Sequence, residues 1–166
     1  ISRQRMYLPG LGEGFEAAKV VHLSDLHMSP FMLERNMVRK LEIVNSFEPD
    51  FVELTGDFIT TSARHYAKRL GHLLRRLRPK VASLAVLGNH DYGVWHPQGT
   101  LESRGLAQYV AGCLASAGIE PLINASRTYR RGWASLSFVG VGELWSSAYD
   151  PVGAFESATG DGPVVA

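Results

Sequence analysis

Three short polar blocks, Asp25-Leu26-His27, Gly56-Asp57 and Gly88-Asn89-His90-Asp91, each follow a short apolar run and between them supply carboxylate, imidazole and amide oxygen donors. Each block stands where a buried strand would end. Ligands of open α/β sheets gather outside the carboxyl ends of strands, so the three are expected to converge on one rim. Residues two apart on a strand share a face, which lets Asp25 and His27 approach one ion together. Gly56 leaves room for a tight turn and a nearby ion, and Asp57 after it can bridge two cations through its two carboxylate oxygens. Oxygen donors mixed with imidazole suit Mn, Fe, Zn or Mg rather than a thiolate-preferring metal. Two such ions roughly 3.5–4 Å apart clamp a phosphoryl group and acidify a bound water, leaving only the departing oxygen in need of a proton. His90 is the natural donor of that proton.

The elements that must position these blocks are legible as alternating strands and helices. Val20 to Leu23, Phe51 to Thr55 and Val81 to Leu87 read as core strands. Ser29 and Pro30 form an N-cap and first-turn pair, and Leu33, Met37, Leu41 and Val44 give a helical stripe ending before Pro49. Ser62 is expected to open a second helix, with Tyr66, Leu70, Leu73, Leu74 and Leu77 facing inward until Pro79. This alternation predicts right-handed crossovers and a parallel sheet. Upstream, Arg5 to Phe15, with Pro9, Gly10, Gly12 and Gly14, reads as an edge strand and loop. Downstream come a loop of about ten residues and a helix around Arg104 to Ala117, closed by Gly118. A second sheet then begins with strands at Ile119 to Ile123, Arg127 to Arg130 and Ala134 to Val141, with Arg131-Gly132 as a tight turn. Ser146 to Gly162 gives little signal and is expected to be a mobile loop near the site.

In order and residue type the three blocks resemble the signature of the calcineurin-like metallophosphoesterases, specifically the bacterial membrane-associated phosphodiesterases: Asp-x-His, Gly-Asp and Gly-Asn-His-Asp/Glu, then a lone His and a Gly-His-x-His. The resemblance is strong from Val20 to Asp91 and looser beyond. It implies an α/β fold, an αββα sandwich of two mixed sheets flanked by helices, incomplete at the C-terminus. Residues 1–166 would then be a single metallophosphoesterase domain, the N-terminal two-thirds of the full one. By the same resemblance Asp25, His27 and Asp57 hold one divalent metal and Asp57 and Asn89 the second, manganese being one candidate. His90 protonates the leaving group and Asp91 orients His90. The implied reaction is hydrolysis of a phosphodiester or pyrophosphate bond by a metal-activated hydroxide, on a phosphorylated small molecule or a lipid- or nucleotide-linked substrate.

Two features depart from that pattern. The last histidine is His96, so nothing after Asp91 supplies the remaining histidines; the chain opens at Ile1 without Met, and Gly162 to Ala166 reads as the start of another strand. A fragment of a longer protein is the expectation. Thr60 stands where many relatives carry a second carboxylate. Among the other histidines, His22 falls on the face opposite Asp25 and His27. His65 and His72 lie roughly 10 Å apart on a helix and cannot share an ion. His96, in the loop Tyr92-Gly93-Val94-Trp95-His96-Pro97, is either a substrate-loop contact or a plain surface residue.

Taken singly, Asp25 suits a turn, Asp57 a helix cap and Asn89 to Asp91 an Asx-type turn; their joint order favours the chemical reading. With 166 residues and 45% hydrophobic content the chain suits one soluble globular domain. A lone Cys113 rules out an internal disulfide and a cysteine metal cluster. No apolar segment approaches the ~20 residues that span a bilayer, so a cytoplasmic location or one peripheral to the inner membrane is expected, an upstream anchor being left open. Seventeen basic and 16 acidic residues give a net charge of +1, without a strong nucleic-acid field. Yet no Asp or Glu lies between Phe58 and His90, while Arg64, Lys68, Arg69, Arg75, Arg76, Arg78 and Lys80 accumulate there. This 64–80 segment is either a solvated face or a peripheral contact for anionic membrane. Tyr92, Val94 and Trp95 would meet an apolar or sugar part of the substrate, or else cap the core. Two rival functions are a nuclease on the same scaffold and a non-catalytic interaction scaffold with an incomplete metal site.

Overall fold

A computed structural model describes residues 1–96 and 103–166. Strands β1 (Val20–Ser24), β2 (Phe51–Thr55), β3 (Ala82–Val86) and β4 (Ile119–Pro121) lie side by side in that order, all parallel. The helices α1 (Glu34–Ser46), α2 (Arg64–Leu74), a single turn α3 (Asn89–Tyr92) and α4 (Leu106–Ala115) connect them. Of the expected apolar stripes, Met37, Leu41, Val44, Leu70, Leu73 and Leu74 are buried, Tyr66 and Leu77 are half-buried, and Leu33, just before α1, is exposed. Met37, Leu41 and Val44 of α1, Ala67, Leu70, Leu73 and Leu74 of α2, and Leu106, Val110 and Leu114 of α4 close over Val52, Leu54 and Ala85 of the sheet.

The other face of the sheet meets a second one. Strand β5 (Ala125–Arg131) turns through Gly132 into antiparallel β6 (Ala134–Gly140), and β7 (Val164–Val165) adds in parallel to β6. Phe15, Phe51, Leu84, Leu122, Leu136 and Phe138 fill the space between the sheets, with the Phe51 ring 4.8 Å from that of Phe138. The α/β class expected is present; the first sheet is wholly parallel and the second mixed.

Several local expectations are corrected. Arg5 to Phe15 forms no strand: it ends in a 3-10 turn at Glu13–Phe15 that drops Phe15 into the inter-sheet core. The glycines there serve close approach, since a Cβ on Gly14 would lie 2.6 Å from the Arg131 carbonyl. Ser29 and Pro30 do not open α1, which starts at Glu34 after Leu33. Residues 27–28 are instead pinned beside the loop that follows β2, through His27 N–H to Asp57 O at 2.9 Å and Met28 N–H to Phe58 O at 2.8 Å. Ser62 does not cap α2 either; its hydroxyl bonds that of Ser103 at 3.1 Å. Within 146–162 a short helix α5 (Pro151–Glu156) forms, capped by the Asp150 carboxylate accepting the Gly153 N–H at 2.9 Å. The loop expected after β3 is described at 93–96 and 103–105, and 97–102 lie outside the described residues. Among the described residues no helix is long and apolar enough to cross a membrane.

Two glycines at the α2–α4 crossing have opposite surroundings. A Cβ on Gly71 would sit 2.8 Å from the Cys113 carbonyl, whereas one on Gly112 would have nothing within 4 Å. Gly112→Ala should therefore stabilise the fold by about 0.5–1 kcal/mol, from helix propensity alone. Gly71→Ala should destabilise it by about 1 kcal/mol or more, because helix backbones must separate. Urea unfolding of both variants checks this; shifts of the same sign would show that Gly71 does not set the crossing.

Candidate metal and catalytic site

The parallel register aligns Ser24 with Thr55 and Thr55 with Val86, so the chain leaves β1, β2 and β3 at one rim. Asp25, His27 and Asp57 follow immediately, and all three adopt left-handed backbone, with φ of 55°, 45° and 50°. Such conformations cost non-glycine residues of order 1 kcal/mol or more each and persist where surrounding bonds enforce them. Here the enforcement is visible. Gly56 donates its N–H to Val86 O at 2.9 Å, and His27 donates to Asp57 O. A Cβ on Gly56 would lie 2.5 Å from the Gly88 nitrogen, and one on Gly88 would lie 2.3 Å from Asp57 Oδ1. The glycines thus let two loops touch, a tighter constraint than room for an ion.

Asp91 joins the same loops from below. It is fully buried, and its carboxylate accepts N–H groups from Phe58 at 3.0 Å, Ile59 at 3.3 Å and Gly88 at 3.0 Å. Burial pushes this carboxyl up to about 7; those three donors pull the other way, and the nearby Asp57 charge adds to the rise. The expected contact from Asp91 to the His90 ring is not made. His90 is held instead by the carbonyl of Thr60, 3.3 Å from Nδ1, while its own N–H donates to Asp57 Oδ1 at 3.2 Å. Because a carbonyl only accepts, Nδ1 carries the proton and Nε2 is the atom presented to the site, 4.0 Å from Asp57 Oδ2. Nothing in the sequence flagged Thr60 for this, since any residue has a carbonyl.

His27 Nε2 lies 3.6 Å from Asp25 Oδ1 and 3.7 Å from Asp57 Oδ2. These separations are too long for hydrogen bonds but match two ligands each about 2.1 Å from one ion. His27 Nδ1, the ring nitrogen that does not face these carboxylates, is buried without a hydrogen-bond partner. One ligand atom each from His27, Asp57 and His90 falls within a 4.8 Å circle. Asn89 donates its amide nitrogen to Val94 O at 2.7 Å, leaving Oδ1 as the available donor. This donor set fits a divalent metal: carboxylate, amide oxygen and imidazole, without sulfur.

The remaining candidates divide. Trp95, half-exposed, stands edge-on to His90 with ring centroids 4.5 Å apart, so of Tyr92, Val94 and Trp95 it alone is placed to meet a substrate. Tyr92 and Val94 are in the core, because the α3 turn rotates them inward. His22 stays apart on the sheet face, its Nε2 2.6 Å from Thr55 Oγ1. His65 packs on Tyr66 of α2, and His96 is exposed beside Trp95.

Fold and site together define an α/β protein with a candidate metal-ligating cluster at the carboxyl rim of a parallel sheet. A profile of the calcineurin-like phosphoesterases matches residues 18–148, and the chain belongs to that family. It is 28% identical over 95 residues to the UDP-2,3-diacylglucosamine pyrophosphatase LpxG of Chlamydia trachomatis, covering 57% of this chain and 29% of that protein. It is 27% identical over 139 residues to the phosphodiesterase YaeI of Escherichia coli, covering 84% and 48%. The chain thus spans less than half the length of these relatives. A solved structure of a phosphopantetheinyl hydrolase from Mycobacterium tuberculosis aligns at TM-score 0.48 and 17% identity over 75% of this chain and 42% of that one.

Asp91→Ala would leave two buried N–H groups, of Phe58 and Ile59, and the part-buried N–H of Gly88 without an acceptor. At about 1–3 kcal/mol for each, it should lower the unfolding free energy by about 3 kcal/mol or more in urea titrations. A variant as stable as the parent would show that the loops hold without this carboxylate.

Proposed function

We propose that this chain carries the metal-dependent phosphodiester or pyrophosphate hydrolase centre of a phosphoesterase. The observation that carries the reading is the convergence of His27, Asp57 and His90 within 4.8 Å, with Asp25 3.6 Å from His27. Asp25, His27 and Asp57 would hold one divalent ion and Asp57 and Asn89 a second, Mn, Fe, Zn or Mg. Bound there, such ions supply an acidified water as nucleophile and neutralise charge on the phosphoryl oxygens.

The chain's own residues do the rest. With both ring nitrogens protonated and Nδ1–H held by Thr60 O, His90 would give its Nε2 proton to the departing oxygen and be left as neutral imidazole. Asp91 acts as a positioning residue, through the backbone of both loops rather than through the His90 ring. Trp95, edge-on to His90, walls the side from which the leaving group departs. No covalent intermediate is needed.

The substrate we favour is a phosphorylated small molecule or a lipid- or nucleotide-linked diphosphate or diester. Two relatives support this, one named a UDP-2,3-diacylglucosamine pyrophosphatase and one a phosphodiesterase. A position peripheral to the inner membrane, with the 64–80 segment against anionic lipid, belongs to the same reading.

The direct check is hydrolysis of bis(p-nitrophenyl) phosphate with Mn²⁺, beside a metal-free control and Asp57→Asn. Metal-dependent turnover that falls at least about 100-fold in the variant is expected; turnover no greater than the metal-free control would overturn the reading. For His90→Ala, kcat should drop about 100-fold or more while Mn²⁺ affinity changes less than about threefold. A larger loss of affinity than of kcat would make His90 a ligand instead.

A further inference from the structure

Of the seven Arg and Lys residues at 64–80, two are paired with acids and two others, Lys68 and Arg75, line a groove with His72 between them. Arg69 pairs with Glu34 at 2.6 Å, and Lys80 lies 3.8 Å from Glu48, so these two are matched by acids of α1 and its exit. Lys68, His72 and Arg75 form a separate exposed stripe, and none of them has an acidic partner among the described residues. The stripe is one wall of a groove of about 660 Å³ between α2 and α4. Gln108, Gly112 and Ser116 form the other wall. The close approach at Gly71 makes the floor, and the empty space at Gly112 opens the top. With no Asp or Glu in α2 or α4, the groove is lined only by cations and neutral groups.

We propose that this groove seats the phosphate headgroups of an anionic bilayer. The proposal deepens the lipid-linked reading of the substrate and rests on it, because both helices begin at the loops that carry the site. Lys68 and Arg75 are seven residues apart, roughly 10 Å along the helix, a span that several neighbouring headgroups can fill. A protein partner would need apolar anchors at the centre of its interface. None of the exposed large apolar side chains lies on α2 or α4. A duplex nucleic acid carries a charge every ~1.7 Å and is held by long basic tracks, whereas this stripe is short and the whole chain carries only +1. Headgroup contact requires only a few cations near the surface, each raising affinity about fivefold.

The test is co-sedimentation of the chain with vesicles of phosphatidylcholine alone and of an equimolar mixture with phosphatidylglycerol. Binding to the mixed vesicles only is expected. Lys68→Gln with Arg75→Gln should weaken it about 25-fold, from about fivefold per cation. Gly112→Glu, which places an acid in open space within the groove, should weaken it at least about fivefold by the same measure. Arg69→Gln with Lys80→Gln, both already paired, should change it less than about twofold, since matched charges contribute little. Asp57→Asn should bind vesicles like the parent while losing hydrolysis, which separates failure of the groove from failure of the hydrolase reading. Equal binding to neutral vesicles, no binding to either kind, or equal losses from the paired and unpaired cation variants would overturn the proposal. So would tighter binding to duplex DNA than to the mixed vesicles at the same salt.

Discussion

The Asp91 carboxylate accepts one N–H from its own loop, at Gly88, and two from the loop after β2, at Phe58 and Ile59. That shared acceptor fixes where Asp57 stands relative to Asn89 and His90, and so fixes most of the candidate site. A buried carboxylate with unmet oxygens would be unstable, and loop N–H groups with no acceptor equally so. Each side therefore enforces the other. The same two loops make contact through Gly56 and Gly88, where any side chain would collide with the opposite backbone.

Against that brace the left-handed conformations at Asp25, His27 and Asp57 become intelligible. Strain of this kind is held in place by surrounding structure rather than relieved. It turns three candidate ligand side chains off the ends of two adjacent strands and toward one another. The 3.6–4.0 Å spacings of carboxylate and imidazole nitrogen suit a candidate cation site.

The rim itself was legible because it follows from periodicity and order: apolar runs of strand length, each closed by polar residues, become parallel strands whose ends must coincide. Helix faces were legible for the same reason, as Leu70 and Leu41 show. What was hidden depended on long-range or main-chain contacts. The Phe15 segment looked like an edge strand, but its conformation is dictated by Arg131, whose guanidinium covers the Phe15 ring and donates to Gly14 O. Ser29 and Ser62 are good caps in isolation, yet one lies beside a segment pinned to 57–60 and the other bonds Ser103. The Thr60 carbonyl that holds His90 has no side-chain signature at all. The family resemblance made Asp91 the residue expected to orient His90, whereas the approach of two loops gives its carboxylate backbone partners instead.

The central claim is that Asp25, His27, Asp57 and Asn89 hold two cations at this rim. A crystal of this chain grown with Mn²⁺ and measured at the manganese absorption edge tests it most directly. The account predicts two anomalous peaks, one contacting Asp25, His27 and Asp57 and the other contacting Asp57 and Asn89. Peaks elsewhere, or none at this rim at saturating Mn²⁺, would contradict it.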